Sequence, residues 1–217
     1  MKAYFISLLL FLCLPAAASA GSEEAFIEDA ARKYGAARNY ACIMEVYERS
    51  GDKDSTRILR YYFRKPATIR IEILEGKDSG GVALYKNNWV WGRQSGLFRG
   101  IRLKFRPTDR MVVSDRGSTM DQSGWGYLLA ELSRKKEQGF TLRAEETEGM
   151  YPCRVISVSG PGGDTAVISE KFYIDGKTGA VIRHESYRDN ALVSRSVFKD
   201  FVIDGSLDGS LFDEKKF

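Results

Sequence analysis

The chain has 217 residues, with 33 lysines and arginines, 29 aspartates and glutamates and a single histidine, and its net charge is +4. This small charge, with both signs interspersed, argues against nucleic acid as a partner, because such proteins carry a basic stripe. The few cysteines and the single histidine lack ligand spacing. We therefore predict no metal and no cofactor.

The N-terminus has the three parts of a secretory signal. Lys2 supplies a positive charge, Phe5 to Leu14 form an apolar run, and Ala18-Ser19-Ala20 is a cleavage site of small residues. The apolar run is too short to cross a bilayer as a permanent helix. The sequence therefore predicts a signal peptide at residues 1–20 and a single exported, periplasmic domain at residues 21–217.

The domain is predicted to begin with a helix and a series of strands. Ser22 is a suitable N-cap, and apolar residues from Ala25 to Ala37 recur at helical spacing, so a helix is expected from Glu23 to about Ala37. Apolar alternation and turn residues then predict strands. These strands are Tyr40–Arg49, Ser55–Lys65, Thr68–Leu74, Val82–Tyr85, Trp89–Trp91 and Ile101–Phe105.

Large apolar side chains occupy alternate positions in four of these strands, which places them on one face of a sheet. The members are Tyr40, Cys42, Met44 and Val46, then Tyr61 and Phe63, then Ile69, Ile71 and Ile73, then Trp89 and Trp91. With short turns, this run predicts a curved meander whose concave face is apolar. Such a face either packs against the protein's own helices or holds an apolar ligand, and alternation leaves both open.

The second half is predicted to contain one more helix and five more strands. Gly124 to about Lys136 fits a helix that either plugs the core or covers the concave face as a lid. The apolar residues on one side of that helix are Trp125, Leu128, Leu129 and Leu132. The strands that follow are Phe140–Glu146, Cys153–Ser159, Ala166–Ile174, Val181–Tyr187 and Leu192–Ile203. Because no crossover helix interrupts them, they predict one antiparallel sheet.

The sequence lacks the motif of a hydrolase nucleophile. No Gly-x-Ser-x-Gly occurs, and the only histidine, His184, lies between Arg183 and Glu185, where we expect an exposed strand residue. The protein is therefore predicted not to be an enzyme. Hydrolysis by a pair of carboxylates stays as a weaker alternative, since two acids distant in sequence can meet in a fold.

Two cysteines, Cys42 and Cys153, remain after the signal peptide is removed, and both lie in predicted strands. An oxidising compartment permits a disulfide between them. They are equally suited to be two buried thiols that pack as small hydrophobic side chains. Sequence does not decide between the two, because a disulfide requires Cα atoms within about 7 Å of each other.

Several sequence patterns carry a resemblance to a known family. The front half contains Arg60-Tyr61-Tyr62-Phe63-Arg64-Lys65-Pro66, which leads into Ile69-Arg70-Ile71-Glu72-Ile73. The ending contains Phe172-Tyr173-Ile174-Asp175 with Lys177-Thr178-Gly179, then Ser196 to Phe201 and Leu207 to Phe212. With the order of elements, these patterns resemble the LolA-like family of periplasmic outer-membrane lipoprotein carriers. The resemblance implies a mainly β, α+β fold: an incomplete antiparallel barrel covered by short helices.

The resemblance also implies an apolar cavity for acyl chains. Its candidate lining is Met44, Val46, Tyr61, Phe63, Ile69, Ile71, Ile73, Trp89, Trp91, Trp125, Leu128 and Leu129. Lys65 stands before Pro66, where carriers typically have an arginine that helps to hold the lid closed, so Lys65 is the candidate latch. A lysine offers a point charge and not a planar fork of donors, and residues 93–123 differ from the carriers, which indicates a divergent member.

The function that follows from these observations is a periplasmic carrier that holds a lipid or lipoprotein acyl chain in its half-barrel. We expect a monomer, with proteins of the inner or outer membrane as candidate partners. An envelope interaction or sensory module of the same fold is the alternative, and a hydrolase is a weaker one.

Overall fold

The computed structural model describes residues 20–93, 101–145, 153–160 and 169–216. The predicted signal peptide lies outside the described residues apart from Ala20, and so do Glu146 and the first residues of the strand predicted from Ala166. Within the described ranges, no helix is long and apolar enough to cross a membrane.

Two α-helices occur in the described ranges, and both were expected from the periodicity. Helix α1 spans Ala20–Ala36 and helix α2 spans Trp125–Glu137. Glu23 in the first turn of α1 and Lys33 in its last turn complement the helix macrodipole. Helix α2 has three basic residues in its last turn, which likewise suit the negative end of its macrodipole.

Eleven strands of the described ranges form one antiparallel sheet. They are β1 (Asn39–Ser50), β2 (Lys53–Arg64), β3 (Thr68–Gly76), β4 (Val82–Lys86), β5 (Trp89–Arg93), β6 (Arg102–Phe105), β7 (Thr141–Glu145), β8 (Cys153–Ser159), β9 (Ser169–Asp175), β10 (Val181–Arg188) and β11 (Ala191–Ile203). Their spatial order is β6-β5-β4-β3-β2-β1-β11-β10-β9-β8-β7. The sheet is not closed, since β6 and β7 are free edges, and it forms an open half-barrel with helices. The predicted fold class is confirmed.

The main core lies on the concave face of the sheet, beneath both helices. In β1 and β2, Tyr40 stands opposite Phe63 and Cys42 stands opposite Tyr61, and all four side chains are buried. The same cluster continues across the other strands and both helices. Its further buried members include Ile27, Met44, Ile69, Tyr85, Val90, Trp125, Leu128, Leu129, Leu132, Ile156, Phe172, Ile174, Val181 and Phe198.

A second, smaller core lies on the opposite, convex face. A 3-10 helix at Gly209–Phe212 places Phe212, which is 1% exposed, against Leu84 of β4. Arg70 donates a hydrogen bond of 3.2 Å to the carbonyl of Leu211, and the guanidinium of Arg64 lies 4.4 Å from the centre of the Phe212 ring. The C-terminal segment therefore covers β2 to β4 from the outside.

The disulfide considered from the sequence is not formed, and Cys42 and Cys153 are both thiols. Cys42 lies in β1 and Cys153 in β8, and the three strands β11, β10 and β9 stand between them. At about 4.8 Å per strand, this separation exceeds the Cα distance that a disulfide permits. Burial raises the pKa of the Cys42 thiol to about 12, so this thiol stays protonated.

Candidate functional site

Ten of the twelve residues assigned to the cavity lining meet on the concave face. Those contributed by the sheet are Met44, Val46, Tyr61, Phe63, Ile69, Ile71 and Ile73, and those contributed by α2 are Trp125, Leu128 and Leu129. Val46, Ile71 and Ile73 are partly buried, and the other seven are buried. The structure therefore brings these ten side chains together between α2 and the sheet.

The placement of Trp89 and Trp91 on this face was wrong. In the β4–β5 register Tyr85 stands opposite Val90 and Leu84 stands opposite Trp91. Tyr85 and Val90 belong to the concave core, whereas Trp91 packs with Leu84 on the convex face. Because successive side chains alternate between faces, Trp89 shares the convex side with Trp91. The alternation of side chains along β5 was predicted correctly. Which of them face the core was not, because three consecutive apolar residues, Trp89 to Trp91, give no indication of it.

Helix α2 is fixed at its N-terminus by hydrogen bonds within the core. The backbone N–H of Trp125 donates to the hydroxyl of Tyr40 at 3.1 Å, and its indole Nε1–H donates to the carbonyl of Gly179 at 2.8 Å. The hydroxyl of Ser123 donates to the hydroxyl of Tyr61 at 3.3 Å. Burial raises the pKa of Tyr61, so its hydroxyl stays neutral under α2.

Glycines on both sides of Trp125 permit this close approach. A Cβ atom on Gly124 would lie 2.8 Å from the hydroxyl oxygens of both Tyr40 and Tyr61. A Cβ atom on Gly126 would overlap the ring of Tyr34, which belongs to α1. The Gly-Trp-Gly sequence therefore docks the first turn of α2 against the sheet and against α1 at once.

Aromatic rings surround the start of α2. The ring of Tyr40 lies 5.0 Å from that of Phe63, 5.6 Å from that of Phe201 and 5.9 Å from those of Tyr61 and Trp125, measured between centroids. Such ring pairs add about 0.5–1.5 kcal/mol each beyond their buried area. The N-terminal end of α2 is consequently the firmly held end of the helix.

The other end of α2 is held by ion pairs, one of them between Lys136 and Glu24 of α1. Nζ of Lys135 lies 3.2 Å from Glu170 of β9, and Nε2 of His184 in β10 lies 3.4 Å from the same carboxylate. The three side chains are 12–17% exposed. Burial alone raises the pKa of Glu170, but the hydrogen bonds and charges of His184 and Lys135 outweigh it, so the pKa is lowered.

His184 is therefore not the exposed strand residue expected from its charged neighbours in sequence. Its ring packs on Phe172, with 4.5 Å between ring centroids, on the concave face below α2. Arg183 and Glu185, the two neighbours, point to the other face, where Glu185 accepts a hydrogen bond of 2.8 Å from the hydroxyl of Tyr187. Alternation along β10 separates His184 from both of them.

Lys65, the candidate latch, contacts α1 and not α2. Its Nζ donates hydrogen bonds of 2.8 Å and 2.6 Å to the carbonyls of Tyr34 and Gly35, and it lies 4.9 Å from the centre of the Tyr34 ring. These carbonyls are at the C-terminal end of α1, where an ammonium group is favoured by the macrodipole. Tyr34 packs in turn on Trp125, with 5.2 Å between ring centroids. Lys65 therefore reaches α2 through Tyr34.

A polar cluster that sequence reasoning missed closes one end of the concave face. Glu48, which is 5% exposed, accepts a hydrogen bond of 3.1 Å from the backbone N–H of Asp115. The Asp115 carboxylate contacts Lys77 at 3.0 Å, Ser55 at 2.8 Å and Arg57 at 3.2 Å. Hydrogen bonds from Lys77 and Ser55 lower the pKa of Asp115. This cluster fixes the loop before α2 across the tips of β1 and β2.

One surface cleft formed by described residues lies beside β5, and another lies at the C-terminal end of α2. The first, of about 390 Å³, is lined by residues including Trp89, Arg106 and Asp121. The other, of about 150 Å³, lies between the first turns of α1, the end of α2 at Lys136 and the start of β7, beside Ile27 and Leu142. Beneath α2, the described side chains of the main core pack against one another.

The sequence matches no family model and no curated protein, whereas solved structures do match. MucB, known from Pseudomonas aeruginosa, is 12% identical with a TM-score of 0.56, over 90% of this chain and 63% of MucB. The Mycobacterium tuberculosis lipoprotein LppX is 11% identical with a TM-score of 0.52, over 88% of this chain and 99% of LppX. A LolA superfamily protein from Nitrosomonas europaea is 9% identical with a TM-score of 0.43, over 89% of this chain and 98% of that one.

At these identities the similarity concerns the fold, and it is carried by MucB and LppX. Each of these two structures matches about nine tenths of this chain. The chain is a divergent protein with the LolA-like fold.

Proposed function

We propose that this protein is a periplasmic carrier that binds the acyl chain of a lipid or lipoprotein on its concave face, with α2 as a removable cover. The observation that carries the proposal is that one helical face fills the half-barrel. That face consists of Trp125, Leu128, Leu129 and Leu132, all at most 5% exposed. An apolar chain that replaced these four side chains would meet the same apolar wall of the sheet.

The free energy gained by burying the apolar face of α2 in the half-barrel is similar to that gained by burying an acyl chain there. Burying a large apolar side chain contributes about 1.5–3 kcal/mol, so the four side chains of α2 contribute roughly 6–12 kcal/mol. An acyl chain that buries about ten methylenes contributes roughly 8 kcal/mol. Because these gains are close, exchange of α2 for a ligand is reversible, as a carrier requires.

The two ends of α2 suggest how the cover opens. The end at Trp125 is held by core aromatic rings and two hydrogen bonds, whereas the end at Lys135 is held by the ion pairs of Lys135 with Glu170 and of Lys136 with Glu24 of α1. The Lys135–Glu170 pair, with side chains 12–13% exposed, contributes about 1.5–3 kcal/mol, and the Lys136–Glu24 pair, which is about half exposed, contributes little. We propose that α2 swings away at its Lys135 end while Trp125 stays in place.

The proposal includes export but no catalytic step. Export rests on the signal pattern of residues 1–20. His184, the only histidine, is engaged with Glu170 and Phe172 under α2, where it is not presented to a substrate in solution. A carrier role needs only the reversible binding of an apolar ligand. Proteins of the inner or outer membrane are the proposed donor and acceptor of that ligand.

The test is to find the ligand. The mature protein, purified without detergent, is extracted with organic solvent and analysed by mass spectrometry, and its thermal unfolding is measured with added phospholipid. Ile71→Lys on the concave face should abolish co-purified lipid and lipid stabilisation, whereas Leu74→Lys, an exposed change in the same strand, should keep both. Lipid-free wild-type protein with no stabilisation by lipid would refute the carrier role.

The alternative is a module that binds another protein through the same fold. The packing of the protein's own side chains beneath α2 favours this interpretation, since a filled concave face needs no ligand. Under this alternative, no lipid co-purifies, and a defined envelope protein is recovered in stoichiometric amount by a tagged bait. Recovery of that partner should be insensitive to Ile71→Lys in folded protein.

A further inference from the structure

Positive charge is concentrated in one part of this nearly balanced chain. Residues 79–108 contain six lysines and arginines and no aspartate or glutamate, although the whole chain has a net charge of only +4. The remainder of the chain is therefore slightly acidic. Strands β4, β5 and β6, which form one end of the sheet, all lie in this basic region.

The sheet register collects these charges on the convex side. Lys104 stands opposite Trp91, and Arg102 stands opposite Arg93. Alternation places the following residues on one surface, named here the basic face: Trp89, Trp91, Arg93, Arg102, Lys104 and Arg106. Two arginines directly opposite each other destabilise a sheet. Their repulsion would be relieved by an anionic partner.

The acidic groups around the basic face do not neutralise it. Among the described residues, Lys104 and Arg106 form no ion pair, and Arg102 donates to the backbone carbonyls of Glu214 and Lys215 at 3.0 Å and 3.1 Å. The crossing C-terminal segment contributes two acids and two lysines at residues 213–216, which cancel. Asp109 accepts from the backbone N–H of Arg106, and Asp121 lines the cleft beside it.

Aromatic side chains accompany these charges. Nζ of Lys104 lies 4.2 Å from the Trp89 ring centre and 5.3 Å from that of Trp91. Tryptophan together with lysine or arginine is the combination that suits the headgroup region of a bilayer.

We propose that the basic face docks the protein on the surface of an anionic phospholipid bilayer. The lysines and arginines contact headgroup phosphates, and the indoles of Trp89 and Trp91 enter the headgroup layer. The proposal is independent of acyl-chain binding, because the basic face and the concave core lie on opposite sides of the sheet.

The test is binding to vesicles by flotation. We expect binding to phosphatidylcholine–phosphatidylglycerol vesicles and little binding to phosphatidylcholine alone. Because each basic residue near an anionic surface contributes about a factor of five, Lys104→Gln with Arg106→Gln should weaken binding at least about ten-fold. The matched control, Lys53→Gln with Lys177→Gln, removes the same charge at exposed positions elsewhere and should bind as wild type.

Two further measurements test whether charge drives the docking and whether the indoles enter the bilayer. Raising the salt concentration from about 0.01 M to about 1 M shortens the screening length from about 30 Å to 3 Å and should release the protein. Brominated phosphatidylglycerol should quench the fluorescence of the wild type but not that of a Trp89→Phe, Trp91→Phe variant, in which only the buried Trp125 remains.

Equal binding to neutral vesicles, or equal loss in the two charge variants, would overturn the proposal. Binding to a soluble acidic protein without binding to vesicles would also overturn it. Acyl-chain binding by the Lys104→Gln, Arg106→Gln variant should be unchanged, so loss of one activity does not imply loss of the other.

Discussion

Lys135 of α2 and Glu170 of β9 face each other at 3.2 Å, and this ion pair joins the C-terminal half of the helix to the concave sheet. Arg134, its neighbour, pairs with Glu131 inside the helix and does not reach the sheet in this way. Lys135 thus joins two elements of the fold, whereas the adjacent Arg134 forms its ion pair within the helix.

The first prediction concerns this difference. Lys135→Met should loosen the end of α2 and increase hydrogen exchange in its last two turns, with a loss of stability of about 1 kcal/mol. Arg134→Met should leave exchange near wild type, because an exposed pair within a helix contributes only about 0.3–0.5 kcal/mol. Hydrogen-exchange mass spectrometry resolves the two. Equal exchange in both variants would contradict a joining role for Lys135.

The second prediction is the pH dependence of Glu170. Its pKa is below the ordinary 4.5, so its contribution is fully present above that value and is lost as the pH falls through the lowered pKa. Glu170→Gln should reduce the free energy of unfolding by about 1.5–3 kcal/mol at neutral pH. Because the wild type becomes protonated too, the difference should shrink in acid.

Urea unfolding across the acid range measures this difference. Glu75→Gln, an exposed change in β3, is the control and should follow the wild type at every pH. A Glu170→Gln difference that stays constant down to the most acidic point would show that charge on Glu170 is not the cause.

The third prediction compares two glycines in the helices. Gly126→Ala places a methyl group against the Tyr34 ring, where there is no room for it, so it should destabilise the protein by about 1–3 kcal/mol. Gly35→Ala meets nothing within 4 Å, and should stabilise α1 by up to about 1 kcal/mol. Thermal unfolding of both variants gives the sign of each effect. Tolerance of alanine at 126 would mean that α2 does not seat on Tyr34.

The fourth prediction concerns the thiols. Mature protein isolated without reductant should contain two free thiols in denaturant, as measured by alkylation and intact mass. In the native state Cys42 should react very slowly, because it is 4% exposed and burial raises its pKa to about 12. A single species lighter by two hydrogens and inert to alkylation would contradict the strand order.

Strand positions and the concave face could be predicted from period-2 alternation. The alternate residues of β1 and β2 from Tyr40 to Phe63 mark one face over a long stretch, so both the period and its phase are fixed there. At β5, Trp89, Val90 and Trp91 are all apolar, and only pairing with Leu84 and Tyr85 assigns their faces. Local sequence holds no such information.

The contacts that hold α2 and the loop before it could not be predicted, because they join residues distant in sequence. Asp115 and Glu48 are brought together by the loop after β6, where the sequence shows no periodicity. One feature of the sequence did indicate this polar cluster. The apolar alternation of β1 and β2 stops at Glu48 and Arg57, which lie at the same end of the sheet. A charged pair at the end of an apolar face indicates a boundary.

Among the strands that the structure describes, β6 is an edge strand of the open sheet, and its composition affects self-association. Exposed edges favour pairing with another copy, and lysine on the edge opposes this pairing. Antiparallel contact between two β6 strands would bring Arg102 and Lys104 of each copy close to those of the other. Repulsion at this edge therefore protects the half-barrel from growing into a continuous sheet, and loss of these charges would favour aggregation.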